Sequence, residues 1–135
     1  MVKKLLALGG DGIGPEVLES GLRILETVSK GIKVNFDIDF DLIGGICWDK
    51  YGTFCRNITI QKAKEVDAIL VGAVGGPKWD AMKIKGDPVD QDGLMCLRKK
   101  LDTFFGIRPI KYYKSLQKII PFYRKNVQNS EIIIL

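Results

Sequence analysis

The stretch Asp67-Ala68-Ile69-Leu70-Val71-Gly72-Ala73-Val74-Gly75-Gly76-Pro77-Lys78-Trp79-Asp80 decides the fold. Its first part, to Val74, is an apolar run of strand length, and Ala68–Val71 reads as buried. Its second part turns. Glycine permits positive φ and close approach of another backbone, and Pro77 then fixes φ and supplies no N–H. A strand that leaves in this way ends either in a tight turn capped on the core by Trp79 or in a loop that faces a ligand. Loops at strand ends carry binding residues disproportionately, and on these residues alone both readings stand.

Working outward, the same alternation of strands and helices recurs upstream. Lys3–Leu8 reads as a short buried strand, and Gly9–Glu16 as the turn out of it. Pro15 suits the first helical position and Glu16 the positive end of the helix dipole. Val17, Leu18, Leu22, Ile24, Leu25 and Val28 recur at helical spacing to about Ser29, with Gly31 as the end signal. Val34–Asp41 alternates apolar and polar, which predicts a strand with one wet face. Gly44-Gly45 breaks it, a short helix follows over Ile46–Tyr51 up to Gly52, and a further helix covers Ile58–Val66. Strand, helix, strand, helix, strand predicts an α/β fold with parallel strands.

Downstream, Met82–Gln91 reads as an exposed polar segment. Asp92 caps a helix from Gly93 to about Leu101, with Leu94, Leu97 and Leu101 in one stripe and Arg98 beside Leu94 on the same face. Phe104–Tyr113 is strand-like and carries Arg108. Lys111–Gln128 is basic and irregular, with Pro121 limiting any helix, and Glu131–Leu135 is a further strand.

Composition narrows the function classes. The chain has 135 residues, a net charge of +5, and 46% hydrophobic, 27% charged and 9% aromatic residues, which is ordinary for a globular protein. No apolar run approaches the ~20 residues of a membrane helix, and the short run after Lys3-Lys4 meets Gly9 too early for a signal peptide. The three cysteines, Cys47, Cys55 and Cys96, have no metal-site spacing and predict reduced cytoplasmic thiols. The basic excess between Lys99 and Lys125 is interleaved with apolar residues and matches no nucleic-acid motif; it suits an anionic small molecule equally well. Without histidine, acid–base chemistry must use Asp, Glu, Lys, Tyr or water.

Two features invite chemistry. Gly10-Asp11-Gly12-Ile13-Gly14 resembles a phosphate-binding turn, but its spacing is not GxGxxG, and a plain strand-to-helix turn explains it as well. Arg98 and Arg108 are guanidinium forks able to grip carboxylates bidentately. Ordinary surface salt bridges are the alternative for both.

Together these segments resemble the β-decarboxylating dehydrogenases of isocitrate and 3-isopropylmalate. Gly10–Glu16 (GDGIGPE) is similar to that family's opening signature. Gly72–Asp80 (GAVGGPKWD) resembles the isopropylmalate version, and Gly93–Lys111 (GLMCLRKKLDTFFGIRPIK) resembles the family's substrate-binding segment. The resemblance implies a two-domain α/β sheet fold, not a Rossmann fold, incomplete in this chain. Residues 1–103 would begin the cofactor-side domain and residues 104–135 the second, substrate and dimerisation domain. It implies a cytoplasmic homodimer that oxidises a 2-hydroxy acid with NAD and then decarboxylates it, aided by Mg²⁺ or Mn²⁺, on the route to leucine.

By motif match, Arg98 and Arg108 would hold the substrate's carboxylates. Leu94 and Met95 would form an apolar wall. Burying a small branched alkyl there is worth ~2 kcal/mol, whereas a carboxylate would be left unpaired. That favours isopropylmalate over an isocitrate- or tartrate-type substrate. Gly75, Gly76, Pro77, Lys78, Trp79 and Asp80 would lie along the nicotinamide, with Ile13 nearby and either Asp90 or Gln91 at the position of a ring-side carboxylate. No catalytic residue and no metal ligand of the family falls within the chain. The resemblance therefore implies an N-terminal piece of a longer enzyme, inactive by itself, or else a truncated product without an enzymatic role.

Overall fold

The computed structural model describes residues 1–82, 92–119, 121–122 and 124–135. They form two compact units, Met1–Thr103 and Phe104–Leu135.

The first unit is built on a parallel three-stranded sheet in the order β2-β1-β3, with β1 Val2–Gly10, β2 Asn35–Asp41 and β3 Ala68–Ala73. Between β1 and β2 runs α1, Gly14–Ile32; between β2 and β3 lie α2, Gly45–Tyr51, and α3, Asn57–Lys64. Beyond β3 come a single turn α4, Pro77–Asp80, and α5, Gly93–Lys100. The α/β reading holds, with helices on both faces of the sheet. The central strand carries the unbroken apolar run Leu5–Leu8, and it is buried throughout, as a strand covered on both faces must be. Leu6 and Leu8 point into a core shared with Ile43, Cys55, Ile60, Ala63, Cys96 and Leu97. On the opposite face α1 packs on β1 and β3, where its Gly21 meets Leu70. The glycines at the top of the sheet are there for this approach: a Cβ on Gly72 would lie 2.2 Å from the Gly14 carbonyl oxygen.

Four expectations change. β3 pairs with β1 alone, so Ile69–Val71 are half-buried rather than buried. Gly31 does not end α1. The helix passes through it, and Lys33 takes the left-handed conformation instead, at φ 54°, its N–H donating to the Ser29 carbonyl. The apolar stripe of α1 is wider than its buried face: Leu18 is buried, while Val17, Ile24 and Val28 are exposed. The strand expected over Phe104–Tyr113 shrinks to β4, Arg108–Lys111, because the ladder reaches only as far as its antiparallel partner β5, Glu131–Ile134.

That β4–β5 ladder is the sheet of the second unit, with a 3₁₀ turn over Lys114–Leu116 and a short helix α6, Arg124–Val127, between the strands. The segment expected to be polar at Met82–Gln91 lies, except for Met82, outside the described residues. Among the described residues no helix is long and apolar enough to cross a membrane. All three cysteines are buried free thiols, and burial pushes Cys55 up to about 12, which makes it a poor nucleophile.

The end of β2 is fastened to α3 by one carboxylate. Asp41 pairs with Arg56, and accepts from the Thr59 hydroxyl at 2.9 Å and the Leu42 N–H at 2.8 Å. Arg56 in turn stacks 4.2 Å over the Tyr51 ring. Burial pushes the Asp41 carboxyl up, but the N–H of Leu42, the hydroxyl of Thr59 and the charge of Arg56 together hold it below the ordinary 3.8. A depressed carboxylate stabilises the fold above its unfolded value and loses that contribution as pH falls through the folded value. Asp41→Asn is therefore expected to lower the unfolding free energy at neutral pH by about 2 kcal/mol. In urea titrations its difference from the wild type should shrink as pH drops below 3.8.

Candidate functional site

The three parallel strands end at the same edge of the sheet, and the chain leaves each of them in a turn. β1 is followed through α1 by β2 on one side, while β3 lies on the other side of β1. The C-terminal ends of β1 and β3 thus flank a switch point in strand order, where open α/β sheets bind their ligands. The glycine stretch and the Gly10–Gly14 turn, the two segments whose sequence left function open, are the loops at that point.

Asp11 holds this edge together. It is 3% exposed. Its Oδ2 accepts from the N–H groups of Gly45 and Gly75, each at 2.8 Å, and its Oδ1 from the N–H of Ile46 at 2.7 Å. Its own N–H donates to the Ala73 carbonyl at 2.6 Å. One side chain from the β1 turn therefore joins the turn after β3 to the start of α2. The sequence reading passed over Asp11. Its signal was an acid set between glycines at a strand end, where backbone N–H groups lack ladder partners.

Farther along the loop, Trp79 lies on Gly45, where an added Cβ would meet the indole Cδ2 at 2.0 Å. The indole Nε1–H donates to Asp49 Oδ1 at 3.2 Å, and Lys78 Nζ reaches Asp49 Oδ2 at 2.5 Å. These bonds hold the Asp49 carboxyl below its ordinary range, the Lys78 ammonium most of all. Gly76 N–H faces Asp80 Oδ1 at 3.3 Å. Trp79 therefore covers the start of α2 and not the core, which differs from the core cap that the first reading expected.

The loop is not an anion cradle, because Gly75 and Gly76 already spend their N–H groups on Asp11 and Asp80. Of the residues near this edge, Ile13 at the start of α1 is 63% exposed, and Gly75 and Pro77 are exposed as well.

The N-terminus of α5 abuts the same turn. Asp92 caps it, its side chain accepting from the N–H groups of Leu94 and Met95 at 2.9 and 3.0 Å. Asp92 and Gly93 line a cavity of about 70 Å³ with Gly44, Gly45, Val74 and Gly75. One turn on, half-buried Leu94 and exposed Met95 precede Arg98, whose Nη1 lies 3.7 Å from the Met95 sulfur. Arg108 belongs to the second unit, exposed on β4 opposite Ile134. Neither arginine makes an ion pair among the described residues, so the surface salt bridges that were their alternative do not form there. Asp90 and Gln91 lie outside the described residues. Among those described, no three His, Cys, Asp or Glu side chains gather to hold a metal, and no metal role is assigned to any of them.

The family model for isocitrate/isopropylmalate dehydrogenase matches residues 4–135. The chain belongs to that family. Among family members, the 3-isopropylmalate dehydrogenase of Lactococcus lactis is 38% identical over 135 residues, all of this chain and 37% of that enzyme. That of Dehalococcoides mccartyi is 41% identical over 132 residues, 98% of this chain and 36% of that enzyme. The chain thus spans about a third of the length of the curated relatives it matches. A β-decarboxylating dehydrogenase from Thermococcus kodakarensis superposes with a TM-score of 0.68 at 22% identity, over 98% of this chain and 32% of that one. An isocitrate dehydrogenase from Methylococcus capsulatus gives 0.65 at 21% identity, over 82% and 29%. These two support the family's fold.

Because Trp79 occupies the space above Gly45, Gly45→Ala is expected to displace the indole and cost about 1–3 kcal/mol by overpacking. The Trp79 indole N–H resonance, assigned as the one that also moves in Asp49→Ala, should shift in ¹⁵N–¹H spectra. An unmoved resonance would show that the ring does not rest on Gly45.

Proposed function

We propose that this chain is part of an NAD-dependent 3-isopropylmalate dehydrogenase of leucine biosynthesis, which oxidises the 2-hydroxy acid by hydride transfer and releases CO₂ from the resulting β-keto acid. The observation that carries it is the surface of α5: Arg98, without an ion-pair partner among the described residues, next to the apolar pair Leu94 and Met95. A cation offers a carboxylate its partner, and the neighbouring apolar wall takes an isopropyl group but leaves the third carboxylate of an isocitrate-type acid uncompensated. The names of the relatives that match the whole chain point the same way.

In this reading Arg98 binds and orients a malate carboxylate, and Arg108 is assigned to the substrate by its match to the family motif. Ile13 and the lip Gly75–Asp80 hold the nicotinamide and keep water from its face. Bound NAD supplies the hydride acceptor. A divalent ion, Mg²⁺ or Mn²⁺, belongs to this reading, but no residue of this chain is given to it. The unit Met1–Thr103 is the cofactor side and Phe104–Leu135 the start of the substrate side of a cytoplasmic homodimer.

The test is NAD reduction by the full-length protein with Mn²⁺ and 3-isopropylmalate, isocitrate or tartrate. Isopropylmalate should give the highest kcat/KM, and preference for either other acid would overturn the assignment. Arg98→Lys keeps the charge but not the fork, and should lower kcat/KM for isopropylmalate by roughly tenfold to a hundredfold. Leu94→Ser should weaken use of isopropylmalate more than that of unbranched malates. Equal losses would remove the apolar wall from the argument.

A further inference from the structure

Asp11 is the buried acid that the reading above leaves unused, and its bonding is unusual in what it connects. An acid that serves one turn bonds within that turn. Asp11 instead reaches out of its own turn to two others, at Gly75 and at Gly45 and Ile46. Gly75 stands at φ 98°, a conformation the loop must be held in, and its N–H points at Asp11 rather than at solvent. Two residues after Asp11 is Ile13, and directly after Gly75 comes the lip that ends in Trp79. The carboxylate thus sits at the root of both surfaces assigned to the nicotinamide.

We propose that Asp11 is a positioning residue: by binding Gly75, Gly45 and Ile46 it fixes the spacing between Ile13 and the Gly75–Asp80 lip, and so the slot in which the cofactor's ring lies. The fixing of the loops stands on the hydrogen bonds alone; its effect on a cofactor rests on the function proposed above. Asn can replace the acid only in part. Oδ2 serves both Gly45 and Gly75, so the amide oxygen of an asparagine keeps those two bonds, while its NH₂ group faces the Ile46 N–H and loses the third.

Amide hydrogen exchange on this chain tests the fixing of the loops. In Asp11→Ala the amides of Gly45, Ile46 and Gly75 should exchange at least roughly tenfold faster, while those of Leu6 and Leu8 in β1 change less than about twofold. In Asp11→Asn only Ile46 should be released. Wild-type protection at Gly75 in Asp11→Ala would overturn the proposal. Should Asp11→Ala unfold, so that β1 exchanges as well, Asp11→Asn decides: uniform release of all three amides, or none, counts against it.

Kinetics of the full-length enzyme test the consequence. Asp11→Asn should raise KM for NAD by roughly fivefold or more, with KM for isopropylmalate within about twofold, a split that a general loss of stability does not produce. An unchanged KM for NAD in an active enzyme overturns the link to the cofactor. A wild type that reduces no NAD while the exchange pattern holds overturns the proposed function and leaves the fixing of the loops standing.

Discussion

A sheet of parallel strands concentrates its unpaired backbone at one end. Where β1, β2 and β3 stop, the ladder stops with them, and the N–H groups of the following turns need other acceptors or pay the cost of burial unpaired, about 1–3 kcal/mol each. In this chain one carboxylate answers for three of them. Asp11 can do so because β1 is the middle strand: a side chain at its end reaches the turn after β3 on one side and the start of α2 on the other. A charged acceptor also makes stronger bonds than a neutral one. The top of the sheet is therefore set by the position of a single acid in the turn that follows the central strand.

This arrangement decides what the edge can bind. Glycine-rich turns after a strand often present free N–H groups to phosphate. Here the chain's own carboxylates take them, Asp11 at Gly75 and Asp80 at Gly76, and Asp49 ties down Lys78 and Trp79. The glycine N–H groups of the lip are therefore taken by the chain itself, not left for an anion. Trp79 lies over the start of α2 at Gly45, and the ligand-facing reading of the glycine stretch belongs to the proposed function.

Periodicity made the sheet legible. The unbroken run Leu5–Leu8 marks a central strand, and the alternation from Asn35 to Asp41 marks a second strand, whose acids turn out to face α3, where Lys62 meets Asp39 at 2.8 Å and Arg56 pairs with Asp41. Caps were legible where a side chain makes them, as at Asp92. Burial was not. Ala68–Val71 reads like Leu5–Leu8, but composition does not say which of two apolar strands gains neighbours on both sides. Gly31 looked like a stop, yet nothing in the space around it requires a glycine, and the helix ends two residues later at a lysine. Asp11 was hidden because its partners lie 34, 35 and 64 residues away, beyond any local pattern.

The same contrast separates the residues that mark the family from those that would choose its substrate. Gly14 and Gly72 let α1 and β3 approach more closely than any Cβ allows, and Asp11 binds the turns beside them. These positions build the frame at the sheet edge, and under the proposed function they would serve either acid. Discrimination needs groups that differ in what they can pair with, and those stand on α5. Arg98 can partner a carboxylate shared by both acids; Leu94 and Met95 can cover an alkyl branch but cannot solvate a third carboxylate. A site that leaves a buried charge unpaired rejects it far more strongly than a site that merely loses apolar contact. Under the proposed function, the choice between the two acids therefore rests on two apolar side chains rather than on the glycine motifs.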